Sequence, residues 1–387
     1  MASRTPSTPL IILAPDSFKE SLTAQQVCVA MQAGLEQEFP DARYVHVPMA
    51  DGGEGTVQSL VDATGGTVRR ARVTGPLGGA VEAVFGILGD GETAVIEMAA
   101  ASGLELVPTA DRDIRCATTY GTGELISVCL DQGARRLVLG LGGSATNDGG
   151  AGMAQALGAQ LLDRSGRPLP LGGAALANLA RIDVSGLDPR LRDCAVEVAS
   201  DVTNPLTGPT GASAVYGPQK GATPADVTEL DAALEHYADI VRRDLGRSVG
   251  QVPGAGAAGG LGAGLLAFTP ARISSGIDIV IRLTGLVDHV AGADLVLTGE
   301  GRMDGQTRFG KTPFGVASVA RATGTPVIGI AGSVGEGVEE LAEYFDAIIP
   351  VIGRVAPLSE VLAEAASNVE RTCANVGRLI ALTITDR

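Results

Sequence analysis

The chain has 387 residues, 45% of them hydrophobic and 19% charged, which is enough for roughly two or three domains with buried cores and too apolar for a wholly disordered chain. Asp and Glu outnumber Lys and Arg by 44 to 29, leaving a net charge of −15. Because so acidic a surface repels phosphodiester backbones, no nucleic-acid partner is expected, and an anionic ligand must meet local cations, helix N-termini or a bound metal.

The glycine, cysteine and histidine contents narrow the class of protein further. Glycine occurs 54 times, about twice its usual share of roughly 7%, which predicts many tight loops where backbone can approach a ligand. Five cysteines without CxxC spacing and three scattered histidines predict reduced thiols rather than a disulfide framework or a zinc site. The first apolar run, residues 10–14, is too short for a signal peptide, and no stretch reaches the roughly 18 apolar residues of a membrane span. We therefore expect a cytoplasmic protein without a membrane partner.

In chain order, the sequence repeats a short apolar run, a glycine- and acid-rich loop, and a helical segment. The predicted strands are residues 10–14, 44–47, 136–141, 196–200, 294–298 and 326–331. The first predicted helix begins near residue 23, where Thr23 and Gln26 form a capping box. Repeated strand, loop and helix are typical of parallel α/β sheets, which bind ligands outside the carboxyl ends of their strands.

Residues 67–98 break this pattern. Their apolar runs are too close for intervening helices, and turn signals at Gly75-Pro76 and residues 89–91 predict antiparallel strands. A differently built domain therefore starts near residue 66. Further helices are predicted over Pro224–Leu245, capped by Thr223, and over Pro357–Leu382. The predicted fold class is α/β, in two parts.

The basic residues are distributed unusually, since 26 are arginines and only Lys19, Lys220 and Lys311 are lysines. All three fall in predicted loops. Such scarcity favours a position-specific need for a compact ammonium, for example to neutralise a transferring phosphate. The alternative is three exposed loop lysines in a chain of biased composition.

Two glycine motifs match the residue patterns of phosphate-binding loops, but the strands and helices predicted around them do not fit such loops. Residues 305–312 match the P-loop pattern GxxxxGK[ST], yet the predicted strand ends at Thr298 and Pro313 removes an amide that a P-loop helix would donate. Residues 254–259 match GxGxxG without a preceding strand. We interpret the first as a phosphate-proximal loop of another kind and the second as a tight loop before a helix over Leu261–Phe268.

The loop over residues 141–150, LGGSATNDGG, is the stronger candidate for an anion site. A predicted strand leads into a run of small residues before a helix, so several N–H groups can face one anion. Ser144, Thr146 and Asn147 add neutral donors. A purely structural turn would need only one or two glycines, so we expect this loop to bind phosphate or carboxylate.

Acidic residues follow most of the predicted strands. They are Asp16, Asp51, Glu54, Asp201, Glu300 and Asp304. Any one of them could be a helix cap or a turn residue, but six at one sheet edge need a cation or a function. Acids there can bind Mg²⁺ that carries a nucleotide, or accept a proton from a substrate hydroxyl.

The loop motifs, taken together, resemble the bacterial glycerate kinase family. They are APDSFKESLTA, PMADGGEGT, TTYGTGELI, LGGSATNDGGAG, DVTNPLTGPTGA, GPQKGA, PGAGAAGGLGAG, SGIDIV and LTGEGRMDGQT…GKTP…GVA. The resemblance runs in the same order from Leu10 to about Ile380. One departure is Glu20, where the family commonly has glycine.

The resemblance implies a fold and an activity. The fold is a flavodoxin-like α/β domain built from both chain ends, residues 1–66 and 290–387, with an inserted mixed α/β domain over residues 67–289 and the active site in the cleft between them. The activity is phosphorylation of D-glycerate by Mg²⁺-ATP, typically to 2-phosphoglycerate rather than 3-phosphoglycerate. The implied partner is a small molecule, and the oligomeric state is left open.

Residue roles in such a kinase follow from loop position and residue type. Asp201 is the expected base or orienter for the glycerate hydroxyl, and Lys19 is expected to neutralise the γ-phosphoryl group. The remaining candidates fall into three groups: for phosphate Gly142, Gly143, Ser144, Thr146, Asn147 and Lys311; for glycerate Ser17, Arg302 and Asn204; and for Mg²⁺ Asp51, Glu54, Glu300 and Asp304.

Four other functions compete with this hypothesis. LGLGGSAT is reminiscent of the phosphate loop of GHMP-type small-molecule kinases. Another small hydroxy acid could replace glycerate, or a non-catalytic regulator that binds nucleotide or organic acid could use the same loops without a base. A dehydrogenase is the weakest alternative, because the GxGxxG motif lacks its strand.

Overall fold

The computed structural model describes residues 8–384. Thirteen strands are defined: β1 Leu10–Leu13, β2 Arg43–His46, β3 Thr67–Thr74, β4 Ala80–Ile87, β5 Thr93–Glu97, β6 Arg136–Gly140, β7 Gln160–Leu162, β8 Arg181–Asp183, β9 Ala195–Ala199, β10 Arg272–Ser274, β11 Leu295–Met303, β12 Val327–Val334 and β13 Ala347–Pro350. These strands form two large sheets and one small one.

Thirteen α-helices accompany the strands: α1 Ala24–Leu35, α2 Thr56–Thr64, α3 Ala99–Ser102, α4 Tyr120–Asp131, α5 Ala151–Ala156, α6 Ala212–Tyr216, α7 Pro224–Leu245, α8 Ala257–Phe268, α9 Gly276–Thr284, α10 Leu286–Val290, α11 Thr312–Thr323, α12 Leu358–Ala363 and α13 Ala365–Ile384. Short 3₁₀ helices occur at Leu104–Leu106, Thr109–Asp111, Gly173–Asn178, Pro189–Arg192, Pro218–Lys220 and Val338–Leu341. The predicted caps of α1 and α7 are confirmed, since Thr23 forms a capping box with Gln26 and Thr223 forms one with Asp226.

The described residues divide into two compact units. The first contains the chain up to Asp51, Gln58–Gly65 and the chain from Ile277 onward; the second contains Gly52–Val57 and Gly66–Gly276. The first unit holds a five-stranded sheet in the order β2-β1-β11-β12-β13, with every neighbouring pair parallel. Numbered within the unit, this order is 2-1-3-4-5, the flavodoxin-like arrangement. Its core includes Leu13 of β1 and Met31 of α1.

The second unit contains a six-stranded mixed sheet in the order β10-β9-β6-β5-β4-β3. The β5, β6, β9 and β10 strands are mutually parallel, whereas β3 and β4 form antiparallel pairs that extend the sheet. The predicted antiparallel stretch over residues 67–98 is therefore confirmed. A separate antiparallel pair, β7 with β8, lies in the same unit.

Two strands are longer than the sequence pattern predicts. β11 continues past Thr298 to Met303, and β12 continues to Val334, because Gly299–Met303 pairs in parallel register with Ile330–Val334. Glycine permits this close pairing: a Cβ on Gly299 would lie 1.9 Å from the carbonyl oxygen of Ile330. Glu300 and Arg302 thus lie on a strand rather than in the loop expected after it.

The predicted C-terminal helix over Pro357–Leu382 is interrupted. The structure divides it into α12 and α13 at Glu364, which caps α12 with φ −93°. The predicted helix over Leu261–Phe268 begins earlier, at Ala257, and contains a left-handed kink over residues 258–260.

Two further features concern the chain outside its sheets. Among residues 8–384, no helix is both long enough and apolar enough to cross a membrane. The five cysteines carry free thiols, and all but Cys116 are buried. Burial raises the pKa of the Cys129 and Cys373 thiols to about 12, so these groups stay protonated near neutral pH.

Candidate active site

The carboxyl end of the first unit's sheet gathers three acidic side chains. Asp16 follows β1, Asp51 follows β2, and Glu300 lies near the end of β11. The backbone N–H of Asp16 donates to the carbonyl oxygen of Gly299 at 2.8 Å, which fixes the loop after β1 against β11. In a 2-1-3-4-5 sheet, the boundary between β1 and β11 is the switch point outside which ligands bind.

Asp16 has the most perturbed carboxyl of this cluster. Burial, together with the neighbouring carboxylates of Asp51 and Glu300, raises its pKa to about 7, although two hydrogen bonds act to lower it. The Thr312 hydroxyl donates to Oδ2 of Asp16 at 2.6 Å, and the Ser17 N–H donates to Oδ1 at 2.6 Å. A half-neutral carboxyl between two other acids marks a place where added positive charge is favourable.

Glu300 connects this cluster to the only lysine of the GKTP segment. Its Oε1 accepts from the Thr307 hydroxyl at 2.8 Å, and its Oε2 lies 3.4 Å from Nζ of Lys311. Burial raises the pKa of Glu300 and the Lys311 ammonium partly offsets that rise. Lys311 is one-third exposed, so its ammonium remains accessible from solvent.

The four acidic residues predicted to bind Mg²⁺, Asp51, Glu54, Glu300 and Asp304, have different surroundings. Within the part of the chain that the structure describes, no three acidic, imidazole or thiol groups are arranged to hold a metal by themselves. Mg²⁺ commonly uses only one or two carboxylates and completes its shell with water and substrate phosphates, which suits Asp51 and Glu300 beside Asp16. Asp304 is instead paired with Arg302, Nε to Oδ2 at 3.1 Å, and Glu54 is an exposed residue of the second unit.

The loop after β1 also carries Ser17, Lys19 and Glu20. The Ser17 hydroxyl donates to Oδ1 of Asp16 at 3.2 Å, so it is bound to the acidic cluster, whereas Lys19 is exposed. Glu20 has φ +64°, in the left-handed region that favours glycine. This backbone conformation gives the physical reason why glycine suits the position and shows that Glu20 can still adopt the same turn.

The segment that matches the P-loop pattern, residues 305–312, lies closer to its preceding strand than the sequence predicts. The preceding strand ends at Met303, two residues before Gly305, so the expectation of a distant strand end was wrong. The helix that follows is α11, with Lys311 as its N-cap and Pro313 in its first turn. The missing amide of Pro313 still distinguishes this loop from a P-loop.

In the second unit, the loop over residues 142–147 exposes backbone rather than side chains. Gly142 and Gly143 are exposed, and within the described residues the structure records no protein acceptor for their amide N–H groups. Ser144, Thr146 and Asn147 are buried, which differs from the expectation that their side chains face a ligand. Their contacts are internal: the Asn147 amide, for example, donates to the Ser213 hydroxyl at 2.9 Å.

Two buried ionisable residues, Lys220 and Asp148, lie at this loop. Nζ of Lys220 donates to Oγ of Ser144 and to the carbonyl oxygen of Thr146, both at 2.7 Å. Asp148 accepts from the N–H and hydroxyl of Thr119 at 2.8 and 2.9 Å. Burial lowers the pKa of Lys220 to about 7 and raises that of Asp148.

The predicted base and its neighbour lie after β9. Asp201 is exposed, and its Oδ1 accepts from the N–H of Gly276 at 3.3 Å. The Asn204 amide donates to the Thr210 carbonyl oxygen at 2.7 Å and accepts from the Tyr216 hydroxyl at 2.8 Å. The side chain of Asn204 therefore stabilises the loop after β9 through these two hydrogen bonds.

The GxGxxG segment packs inside the second unit. A Cβ on Gly259 would lie 1.9 Å from the carbonyl oxygen of Thr146, so only glycine allows this segment to meet the 142–147 loop so closely. This close contact explains the glycines of the segment by packing, in agreement with its interpretation as a tight loop before a helix.

The sequence did not single out Asp148, and among the three loop lysines it indicated roles for Lys19 and Lys311 but none for Lys220. Its only signal for Lys220 was the scarcity of lysine. The burial of Lys220 depends on contacts with a segment more than 70 positions away, which spacing alone does not reveal.

Known proteins resemble this chain over nearly its full length. The model of the Glycerate kinase family matches residues 11–381. A protein named glycerate kinase from Haemophilus influenzae is 54% identical, with 96% of this chain and 98% of that protein aligned. Glycerate 2-kinase from Escherichia coli K12 is 52% identical, with the same coverage. A crystal structure from Salmonella typhimurium LT2, provisionally named glycerate kinase 2, has TM-score 0.92 at 51% identity and covers 98% of this chain and all of its own.

Proposed function

Because the chain belongs to the glycerate kinase family and is therefore an enzyme, we propose that it transfers the γ-phosphoryl group of ATP to D-glycerate, giving 2-phosphoglycerate and ADP. The observation that carries the proposal is the cluster of Asp16, Asp51 and Glu300 at the switch point of the first unit's sheet, with Lys311 beside it. This combination of acids and a lysine suits a metal-bound polyphosphate.

The residues of the first unit would manage the charge of the phosphates. Asp51 and Glu300 would hold Mg²⁺, which neutralises phosphate charge when bound. Lys311 and Lys19 would contact phosphate oxygens as compact cations. Arg302 and the Ser17 hydroxyl remain our candidates for the glycerate carboxylate, because a guanidinium fork fits a planar anion.

The residues of the second unit would bind phosphate and move the proton. The exposed N–H groups of Gly142 and Gly143 would donate to phosphate oxygens, with Ser144, Thr146 and Asn147 shaping the loop from inside. Asp201 would take the proton of the glycerate hydroxyl as its oxygen bonds to the γ-phosphorus and the bond from that phosphorus to ADP breaks. Asn204 would keep the Asp201 loop in place through its two internal hydrogen bonds.

Glycerate-dependent release of ADP tests this proposal. Purified protein with Mg²⁺-ATP is expected to release ADP when D-glycerate is added, and Asp201→Asn should lower kcat by about 10²–10⁴ because the general base is lost. Asp193→Asn is the matched control, since Asp193 is also an exposed aspartate of the second unit but has no assigned role.

Three results would change the assignment. Turnover of Asp201→Asn within a few-fold of wild type would remove Asp201 from the base role. ADP release with another hydroxy acid but not with glycerate would keep the kinase and change its substrate. Nucleotide binding without release of ADP for any acceptor would favour the regulator alternative.

A further inference from the structure

Lys220 occupies a position that the proposed reaction does not yet use. Its side chain is buried, with 2% of the residue exposed, yet it ends in an ionisable amine that donates to Ser144, the residue that follows the exposed Gly142 and Gly143. We propose that Lys220 is a positioning residue that couples phosphate binding at residues 142–144 to its own protonation. The inference rests on the proposed function, because it takes the phosphate to be that of a nucleotide.

The loop is held both by backbone hydrogen bonds and by Lys220. The Leu104 N–H donates to the Gly143 carbonyl oxygen at 2.8 Å, and the Ala145 N–H donates to the Ser102 carbonyl oxygen at 2.9 Å. In addition, Nζ of Lys220 donates to Oγ of Ser144 and to the carbonyl oxygen of Thr146. Together these bonds hold the loop while leaving the amides of its two glycines directed to no protein acceptor among the described residues.

The hydrogen bonds of Lys220 suit a neutral amine in the absence of ligand. An ammonium carries three protons, but residues 8–384 provide acceptors for two of them, Ser144 Oγ and Thr146 O. Burial without a third acceptor disfavours the charged form, in agreement with the lowered pKa of about 7. Asp148 opposes that shift only in part.

The other charged groups near Lys220 do not replace a ligand. Asp148 acts on Lys220 by its charge, but burial raises the pKa of Asp148, and the five donors that oppose this rise all belong to other residues. Arg112 and Asp113 line the same small cavity as Lys220 and carry opposite charges. The amine therefore has no dedicated counter-ion within the described part of the second unit.

A phosphate at the exposed amides would supply that counter-ion. Its negative charge would favour the ammonium form of Lys220, so binding would take up a proton at a pH just above neutrality. By linkage, a rise of one unit in the pKa of Lys220 equals a tenfold preference of the ligand for the protonated protein. Phosphate affinity should consequently fall as pH rises from about 7 to 9.

The scarcity of lysine makes the protonation state directly measurable. The chain contains only three lysines, so labelling with [¹³Cε]lysine gives three NMR signals. Separate Lys19→Arg and Lys311→Arg variants each delete one signal and assign the third to Lys220 without altering it. The signal is followed against pH in free protein, with saturating ADP, and with D-glycerate.

We expect the Lys220 signal to titrate near pH 7 in free protein and about one pH unit or more higher with ADP. Calorimetry in two buffers of different ionisation enthalpy should show proton uptake on ADP binding at pH 8. Lys220→Met should abolish that uptake and remove the fall in ADP affinity between pH 7 and 9. Because the titration uses the unmodified Lys220, it stands even if Lys220→Met fails to fold.

The outcomes separate this inference from the proposed function. A free-protein titration near the ordinary lysine value of 10.5, or a midpoint that ADP does not move although ADP binds, overturns the coupling and leaves the kinase proposal intact. If D-glycerate, and not ADP, moves the titration midpoint of Lys220, the ligand that couples to Lys220 is not a phosphate. Absence of ADP binding overturns the inference together with the nucleotide part of the proposed function.

Discussion

Glu20 has a backbone conformation that is unfavourable for any residue other than glycine. Its φ of +64° places it in the left-handed region, and only one other non-glycine residue of the described chain, Ala258, has a positive φ. The sequence alone identified Glu20 as a departure from the family's glycine, but not the torsion angle that explains it. Lys19 precedes it, so this turn also determines where one of the three lysines lies.

Replacing Glu20 by glycine should stabilise the protein. The left-handed conformation costs a non-glycine residue roughly 1–2 kcal/mol, and the greater entropy of glycine in the unfolded chain offsets about 0.4–1 kcal/mol of the gain. We expect Glu20→Gly to raise the free energy of unfolding by about 0.5–1 kcal/mol, measured by urea denaturation.

The matched control for this change is Glu370→Gly. Glu370 is also an exposed glutamate, but it lies within α13, where glycine costs about 1 kcal/mol relative to good helix formers. The control variant should be less stable than wild type. A loss of stability in Glu20→Gly of similar size would refute the explanation by backbone strain.

Among the secondary-structure elements, caps and strand cores could be predicted because their signals are local. Thr23 and Thr223 lie at the predicted helix starts, and the antiparallel strands over 67–98 follow from their turns. The extension of β11 could not be predicted, because Gly299 and Gly301 look like loop residues until β12 pairs with them. The same extension places Glu300 on a strand, so the exact position of a candidate site residue depended on a tertiary contact.

The packing of α1 against α13 joins elements from opposite ends of the chain within the first unit. A Cβ on Gly34 of α1 would lie 2.3 Å from the Glu370 carbonyl oxygen and 2.8 Å from the Ala374 backbone nitrogen. Backbone cannot move aside as a side chain can, so the helices would have to separate. We expect Gly34→Ala to lower the free energy of unfolding by about 1–3 kcal/mol, measured by thermal and urea denaturation.

Gly377 of α13 provides the control for this prediction. A Cβ there would lie 3.4 Å from Cβ and Cγ of Glu38, whose side chain can adjust. Since alanine is the better helix former, Gly377→Ala should leave stability unchanged or increase it by up to about 1 kcal/mol. Equal destabilisation by both alanines would show that close helix packing at Gly34 is not the cause.

For the whole molecule, the α/β class could be predicted from repeated strand, loop and helix, whereas the strand order could not. The order 2-1-3-4-5 in the first unit requires β11, which lies nearly 250 residues after β2, to pair with β1. Nothing in the spacing of the motifs specifies that pairing, and only the family resemblance implied a domain built from both chain ends. The cytoplasmic location and the roles of individual residues stay predictions.

The excess of acidic residues in the whole chain affects how the candidate site can bind anions. With a net charge of −15, the molecule must concentrate positive charge wherever it binds an anion. Its three lysines differ in this respect: Lys19 is exposed, Lys311 is paired with Glu300, and Lys220 is buried behind a glycine loop. Their scarcity was visible in the sequence, but their different environments required the fold.

The central claim, that this chain phosphorylates D-glycerate at its 2-hydroxyl, is tested most directly by ³¹P NMR of purified protein with Mg²⁺-ATP and D-glycerate. Phosphorus chemical shifts and couplings to carbon-bound protons distinguish the two phosphoglycerates in one spectrum. We predict a growing signal of 2-phosphoglycerate that matches the ADP formed. A signal of 3-phosphoglycerate would contradict the proposed position of transfer, and a spectrum in which ATP persists without any phosphoglycerate would contradict D-glycerate as the substrate.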